Sequence, residues 1–250
     1  MRFLRTTTLA ALGSAAMLVV THVGAFATVD PYSGSGYDFS YLQCGASAPT
    51  AQFGIVGVNG GYPFTYYNTC LTAEYNAAPP GNVSLYVNTG YDPSYTAIDG
   101  RHTEEDCATS SSQINATPAQ QAAWAVGCSE AERDVGYATS QGATAPAAWW
   151  LDVETANSWS TSDLSLNRYT IDGLVTRLRA STSAPIGIYS TSYQWSVITG
   201  GYQPAVDATW VATGQRTLKR ARSYCTSTSF TGAPIWLVQY VATYDHDLAC

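Results

Sequence analysis

The chain has 250 residues, enough for one sizeable core or two small domains. Hydrophobic residues make up 46% and charged residues only 12%, with 18 Tyr and 7 Trp, which excludes a disordered chain and points to the Ser-, Thr- and Tyr-rich surface of an exported protein. Basic residues number 11 and acidic residues 18, a net charge of −7, which excludes nucleic acid as a partner because neutralising phosphates needs a basic surface.

The chain opens on Met1-Arg2-Phe3-Leu4-Arg5, a short basic start, followed by the uncharged, mostly apolar stretch Leu9 to Val20. Ala25-Phe26-Ala27 offers small residues at the positions a signal peptidase reads. Residues 1–27 therefore read as a secretory signal peptide and 28–250 as one exported domain. No later segment is long and apolar enough to cross a bilayer, so no membrane association is expected after cleavage. A secreted, extracellular monomer is the expectation.

Short β-rich runs then recur: 36–41 (GYDFSY), 53–58 (FGIVGV), 83–88 (VSLYVN) and 149–153 (WWLDV), then 186–190 (IGIYS), 208–212 (ATWVA), 235–240 (IWLVQY) and 244–249. Most are nearly continuous in apolar residues, as for strands covered on both faces. Thr117-Pro118-Ala119-Gln120 is a capping box with Pro at the first helical position, and predicts a helix to about Ser140, before Gly142. Its inward stripe is Trp124, Cys128, Ala131, Val135 and Ala138, with Glu130, Glu132 and Asp134 on the outer face. A second helix starts near Ser160–Asp163, with Ile171, Leu174, Val175 and Leu178 at helical spacing. Shorter helices are expected over 70–77 and 193–199. Residues 101–117 read as a polar loop, with Glu104, Glu105 and Asp106 as a solvated cluster. After Ala212 no helical period is evident. The order is β/α alternation for about five units and then strands joined by loops. It predicts a single α/β, TIM-like closed barrel with a reduced helical coat.

The six cysteines, Cys44, Cys70, Cys107, Cys128, Cys225 and Cys250, all follow the leader. An even count in an exported chain reads as three disulfides, and spacing alone leaves many pairings open. Pairing of nearest neighbours, 44–70, 107–128 and 225–250, is the expectation. Each such loop of roughly 20–26 residues would contribute about 3 kcal/mol in the chain-entropy model. No CxxC pair occurs, and His22, His102 and His246 are scattered, so no metal site and no cofactor are expected.

Trp149-Trp150-Leu151-Asp152-Val153-Glu154 carries the most chemistry. Alternation along a strand puts Asp152 and Glu154 on one face, roughly 7 Å apart at Cα. They sit at the C-terminal end of a strand, where the catalytic residues of α/β barrels collect. Two carboxylates that close beside Trp do not both ionise easily, so one pKa should rise and supply a general acid near neutral pH. Asp38 lies at the end of the first strand, and Asp245 or Asp247 in the last. In a closed barrel these strands are neighbours, so all the acids could line one mouth. Tyr41, Asn88, Tyr189, Trp210 and Gln239 also sit at strand ends or just beyond. Aromatic faces with hydroxyl and amide groups suit a sugar-binding cleft, and an acid beside a second carboxylate or a substrate acetamido group suits glycoside cleavage. No G-x-S-x-G, P-loop or dinucleotide glycine motif occurs.

The set GYDFS (36–40), FGIVGVNGG (53–61), WLDVET (150–155), IGIYST (186–191), TWVA (209–212) and IWLVQY followed by YDHD (235–247) resembles the family 25 glycoside hydrolases, the lysozyme-type muramidases. VSLYVNTG and WWLDVET are also similar to segments of secreted actinobacterial proteins described as glycoside-hydrolase-like. The resemblance implies a barrel of five β/α units followed by three bare strands. It implies that Glu154 is the general acid and that Asp152 polarises a water or positions the substrate N-acetyl group. Asp38 and Asp245, or Asp247 if the register slips, would position substrate and tune these charges. The implied partner is a polysaccharide, peptidoglycan or chitin-like, and the implied activity is hydrolysis of β-1,4 linkages in it. A binding module that kept the cleft without turnover, and a chitinase-like glycosidase, are the alternatives. Positions 146–151 (PAAWWL) lack the upstream acidic residues that a chitinase signature has.

Overall fold

The computed structural model describes residues 28–61, 63, 66–93, 103–242 and 244–250. The expected signal peptide (1–27) and His102 lie outside the described residues.

Eight strands close into a barrel in chain order. The first half runs β1 (Ser35–Phe39), β2 (Phe53–Gly57), α1 (Leu71–Ala77), β3 (Val83–Asn88), α2 (Glu105–Ser111), α3 (Pro118–Ser140) and β4 (Trp149–Asp152). The second half runs α4 (Leu164–Ser181), β5 (Ile186–Ser190), α5 (Ser192–Thr199), β6 (Ala208–Gln215), α6 (Leu218–Arg222), β7 (Ile235–Val241) and β8 (Asp245–Ala249). Neighbours from β1 to β7 pair parallel, as crossover connections require, and β8 pairs antiparallel with both β7 and β1. The three residues between β7 and β8 are too few for a crossover and force that reversal. Its consequence is functional: the N-terminal end of β8, with Asp245, joins the C-terminal ends of the other seven.

Alternation sorts each strand between two cores. Val83, Leu85 and Val87 of β3 and Trp149 and Leu151 of β4, with Val153 just beyond, face the helices and pack on Ile171, Leu174 and Leu178 of α4. Phe53, Ile55, Tyr86, Trp150, Trp210 and Leu237 fill the barrel interior. Large rings there sit against glycines of the adjoining strand: Phe53 on Gly36, Tyr86 on Gly57 and Trp150 on Gly187, and a Cβ at any of the three would overlap the ring. At the opposite end from the mouth, Tyr32 plugs the interior; its hydroxyl accepts the Trp150 indole N–H at 2.7 Å and contacts Ser84 Oγ at 2.5 Å.

The capping box at Thr117 is present, with Gln120 N–H donating to Thr117 Oγ1 at 3.3 Å and Thr117 N–H donating to Gln120 Oε1 at 3.0 Å. The three disulfides join Cys44 to Cys70, Cys107 to Cys128 and Cys225 to Cys250, with Cα separations of 5.5, 5.7 and 5.3 Å. These are the nearest-neighbour pairs.

Four expectations fail. Residues 101–117 are not all loop, because α2 forms there; seven residues are too few to show a period, and its Cys107 is anchored on α3. Glu104 is not solvated: it is buried, its N–H donates to Ser129 Oγ at 2.9 Å, and its carboxylate pairs with Arg133 at 3.0 Å. Glu130 and Asp134 do not lie on the outer face of α3. Both are buried, whereas Glu132 between them pairs with Arg177 of α4 at 2.9 Å. The stripe reading assumed one covered face, but α3 is covered by the barrel, by α4 and by the turn after β3, whose Gly90 N–H lies on Glu130. Burial pushes both carboxyls up, Asp134 to about 8. Finally, α6 follows Ala212, a single helical turn with a 3₁₀ turn after it, too short to carry periodicity.

Candidate active site

The mouth formed by the strand ends holds a cavity of about 250 Å³. Asp38, Asp152, Glu154 and Asp245 all line it, and so do Tyr41, Asn88, Tyr189, Trp210 and Gln239. Strand alternation does this locally. Trp150, Asp152 and Glu154 share the inward face: Trp150 fills the interior, Asp152 is the last residue of β4 and buried, and Glu154 stands half-buried on the rim. Asp247 is not on the wall. It is fully buried beneath it, against Asp38 and the Trp210 indole, two residues inward of Asp245 on the same face of β8.

Hydrogen bonds order one side of the mouth. Tyr189 Oη donates to Gln239 Oε1 at 2.8 Å, and Gln239 Nε2 donates to Asp38 Oδ2 at 2.9 Å. Asn88 is held by Asn59: the Asn88 backbone and side-chain N–H groups donate to Asn59 Oδ1 at 2.9 and 3.0 Å, and Asn59 Nδ2 returns a bond to the Asn88 carbonyl at 2.9 Å. On the other side, Gln194 of α5 accepts the Thr155 N–H and hydroxyl at 2.5 and 2.9 Å and turns its amide to Glu154 Oε1 at 3.4 Å.

Electrostatically the mouth is one-signed. Among the described residues no basic side chain lines it. Burial first, then the charges of Glu154 and Asp38, push the Asp152 carboxyl well above its ordinary range, and its Oδ1 has no partner among the described residues. The expected rise between the two carboxylates therefore falls on Asp152, the deeper of the pair. Asp38 rises to about 7, by burial and then by the Asp245 charge, with the Gln239 amide pulling the other way. Asp245 is raised by burial and eased by His246. Asp247 is raised well above its range by burial and by Asp38.

Ser40, Leu42, Gly61 and Tyr86 also line the cavity and were not singled out in the sequence. Tyr86 had a readable signal: it lies two residues before Asn88 on the same strand face. Ser40 and Leu42 lie in and beside a 3₁₀ turn that begins just after β1, and Gly61 lies in the loop after β2, where no periodicity marks direction. The arrangement can bind a neutral polyol through hydroxyl, amide and aromatic faces, donate a proton to it, and stabilise developing positive charge.

A family model described as "Lysozyme-like protein 1" matches residues 112–224, a span that contains Asp152 and Glu154 but neither Asp38 nor Asp245. The bacterial lysozyme from Streptomyces coelicolor is similar in structure, with a TM-score of 0.51 and 17% identity over 88% of this chain and 93% of that one. The glycosyl hydrolase 25 of Streptococcus pneumoniae, described as a virulence factor participating in host cell invasion, has a TM-score of 0.52 and 16% identity over 88% of each chain. No curated protein matches. At these identities the two structures establish the fold.

Proposed function

We propose that this lysozyme-like protein with a family 25 barrel is a secreted muramidase that hydrolyses β-1,4 linkages in peptidoglycan. The observation that carries the reading is the mouth itself, four carboxyl groups with no basic side chain among its described lining, ringed by Tyr, Asn and Gln groups. A neutral glycan enters such a site without an ion-pair partner, and the oxocarbenium-like transition state gains from its negative field.

Glu154, half-buried and steadied by Gln194, gives its proton to the glycosidic oxygen as the C–O bond breaks. Asp152, below it, holds the acetamido group of the sugar or polarises a water, so that one of them attacks the anomeric carbon. Asp38, supported by Gln239, and Asp245 position the sugar and tune the charge. Where the acetamido oxygen attacks, water then opens the cyclic intermediate and its proton returns to Glu154; where water attacks directly, its proton passes to Asp152 and so to solvent.

Export of residues 28–250 as a monomer is part of the proposal. Three disulfides and the composition of residues 1–27 support an oxidising destination, and no helix among the described residues is long and apolar enough to cross a membrane.

The test is incubation of purified residues 28–250 with isolated peptidoglycan and, separately, chitin oligomers, with products identified by mass and reducing-end sugar. New reducing-end muramic acid is expected. Reducing-end N-acetylglucosamine would make the protein chitinase-like, and binding without product would make it a binding module.

A further inference from the structure

Four of the chain's basic residues, Arg216, Lys219, Arg220 and Arg222, fall within seven positions, and between Asp207 and Asp245 the sequence has no acidic residue. All four are exposed. They differ in this from other basic side chains of the fold. Arg133, Arg177 and Arg179 pair with Glu104, Glu132 and Asp207, and Arg168 Nε donates to the Thr199 carbonyl at 2.6 Å. Among the described residues no carboxylate pairs with any of the four.

The fold keeps acids away from them. The run starts at the mouth end of the barrel, because Gln215, the last residue of β6, pairs with Tyr240 of β7, next to the Gln239 of the mouth. From there α6 lies along the outer wall, with Ala221 fully buried in a cluster with Val211, Val238 and Leu248. The nearest acids in sequence are engaged elsewhere. Asp207 pairs with Arg179, while Asp245 lines the mouth and Asp247 is buried beneath it, both on the face of β8 turned away from α6. The run is also held in place: Cys225 is bonded to Cys250 at the end of β8, and Gln215 Nε2 donates to Tyr224 Oη at 3.4 Å.

Like charges one turn apart, such as Lys219 and Arg222, oppose folding unless something answers them. With only five residues, α6 has little dipole for them to complement. We infer that this patch is a binding surface for an anionic polyol phosphodiester polymer, separate from the acid-lined mouth. It stands whether or not the mouth cleaves glycan. Three guanidinium groups and one ammonium suit phosphate oxygens, to which Arg donates in pairs. A membrane surface fits less well, because Leu218, 38% exposed, is the only apolar side chain that α6 turns to solvent. Duplex DNA also fits less well. It is a stiff rod with a charge about every 1.7 Å, and it would lay phosphates over the acidic remainder of the surface. A thin, flexible chain follows the patch alone, since screening confines these fields to about 8 Å.

The test titrates the purified protein with soluble poly(glycerol phosphate) at about 50 and about 200 mM salt. Affinity should fall with salt along a log–log slope of about −2 to −3, as for up to four contacts on a single strand. The variant carrying Arg216→Gln, Lys219→Gln, Arg220→Gln and Arg222→Gln should bind at least about tenfold more weakly, with a slope near zero. Arg216→Lys, Arg220→Lys and Arg222→Lys together should keep the slope and lose part of the affinity. Arg216→Gln alone lies outside α6 and should cost about threefold, which keeps the test decisive if the fourfold variant folds poorly. No binding of the polymer at about 50 mM salt, or equal binding by the wild type and both Gln variants, would overturn the surface. Tighter binding to phosphatidylglycerol–phosphatidylcholine vesicles or to duplex DNA than to the polymer would overturn the choice of partner.

Discussion

At the scale of single residues the mouth is built by unequal burial of like groups. Asp152 and Asp247 are sealed under the mouth, where burial raises both, while Glu154 reaches its rim, so chemically similar carboxyls differ in burial and in reach. Gln239 shows how finely one of them is set. Its amide N–H donated to Asp38 lowers a carboxyl that burial and Asp245 raise to about 7. Gln239→Leu removes that bond and should raise Asp38 further. If the carboxylate form of Asp38 positions the sugar, as the proposed mechanism asks, the acidic limb of kcat/KM moves to higher pH, with kcat down about tenfold. A pH–rate profile of the variant with an unmoved limb would separate Asp38 from catalysis. The acids were legible in the sequence because strand alternation fixes which way a side chain points. The choice between Asp245 and Asp247 was not, since both lie on one face of β8 and only depth distinguishes them.

At the scale of elements, two helices set the spacing of the outer layer. α3 and α4 cross so closely that a Cβ on Gly127 would overlap the Thr170 carbonyl oxygen, and one on Gly173 the Trp124 carbonyl oxygen. Gly127→Ala should therefore cost about 1–3 kcal/mol through overpacking, against its usual gain in helix propensity. Thermal unfolding should show a lower Tm, and a rise would contradict the crossing. Thr117→Ala, at the capping box, should cost about 1 kcal/mol in the same assay. The start of α3 was legible because capping is local chemistry. The burial of Glu130 and Asp134 was not, because the elements that cover them come from elsewhere in the chain. The same holds for α2 and α6, which are too short to repeat a pattern and are set by tertiary contact.

At the scale of the molecule, the buried acids make stability depend on pH in an uncommon direction. Asp38 is raised to about 7 and Asp134 to about 8, with Glu130, Asp152 and Asp247 raised as well. A carboxyl with a folded pKa above its unfolded value leaves the native state holding more protons between the two. Its stabilisation is complete below about pH 4 and is lost as pH rises through the folded pKa. Tm should therefore fall between about pH 4 and 8, and Asp134→Asn should flatten the fall. A Tm that climbs over this range would contradict the upward shift of the buried carboxyls. Barrel closure makes a separate demand. Cys225–Cys250 ties the end of β8 to the turn after α6, so Cys225→Ser with Cys250→Ser should cost about 3 kcal/mol. The barrel itself was legible because eight apolar runs had fixed order and spacing. The reversal of β8 follows from the short connection before it, a matter of chain length rather than of residue type.

The most direct measurement compares the wild type with Glu154→Gln on peptidoglycan and on a dinitrophenyl glycoside of the same sugar, whose leaving group needs no proton. General acid catalysis by Glu154 predicts a loss of about 10²–10⁴ in kcat on peptidoglycan and a far smaller loss on the activated glycoside. Equal losses on both substrates, or full activity of the variant on peptidoglycan, would contradict the assignment of the proton to Glu154.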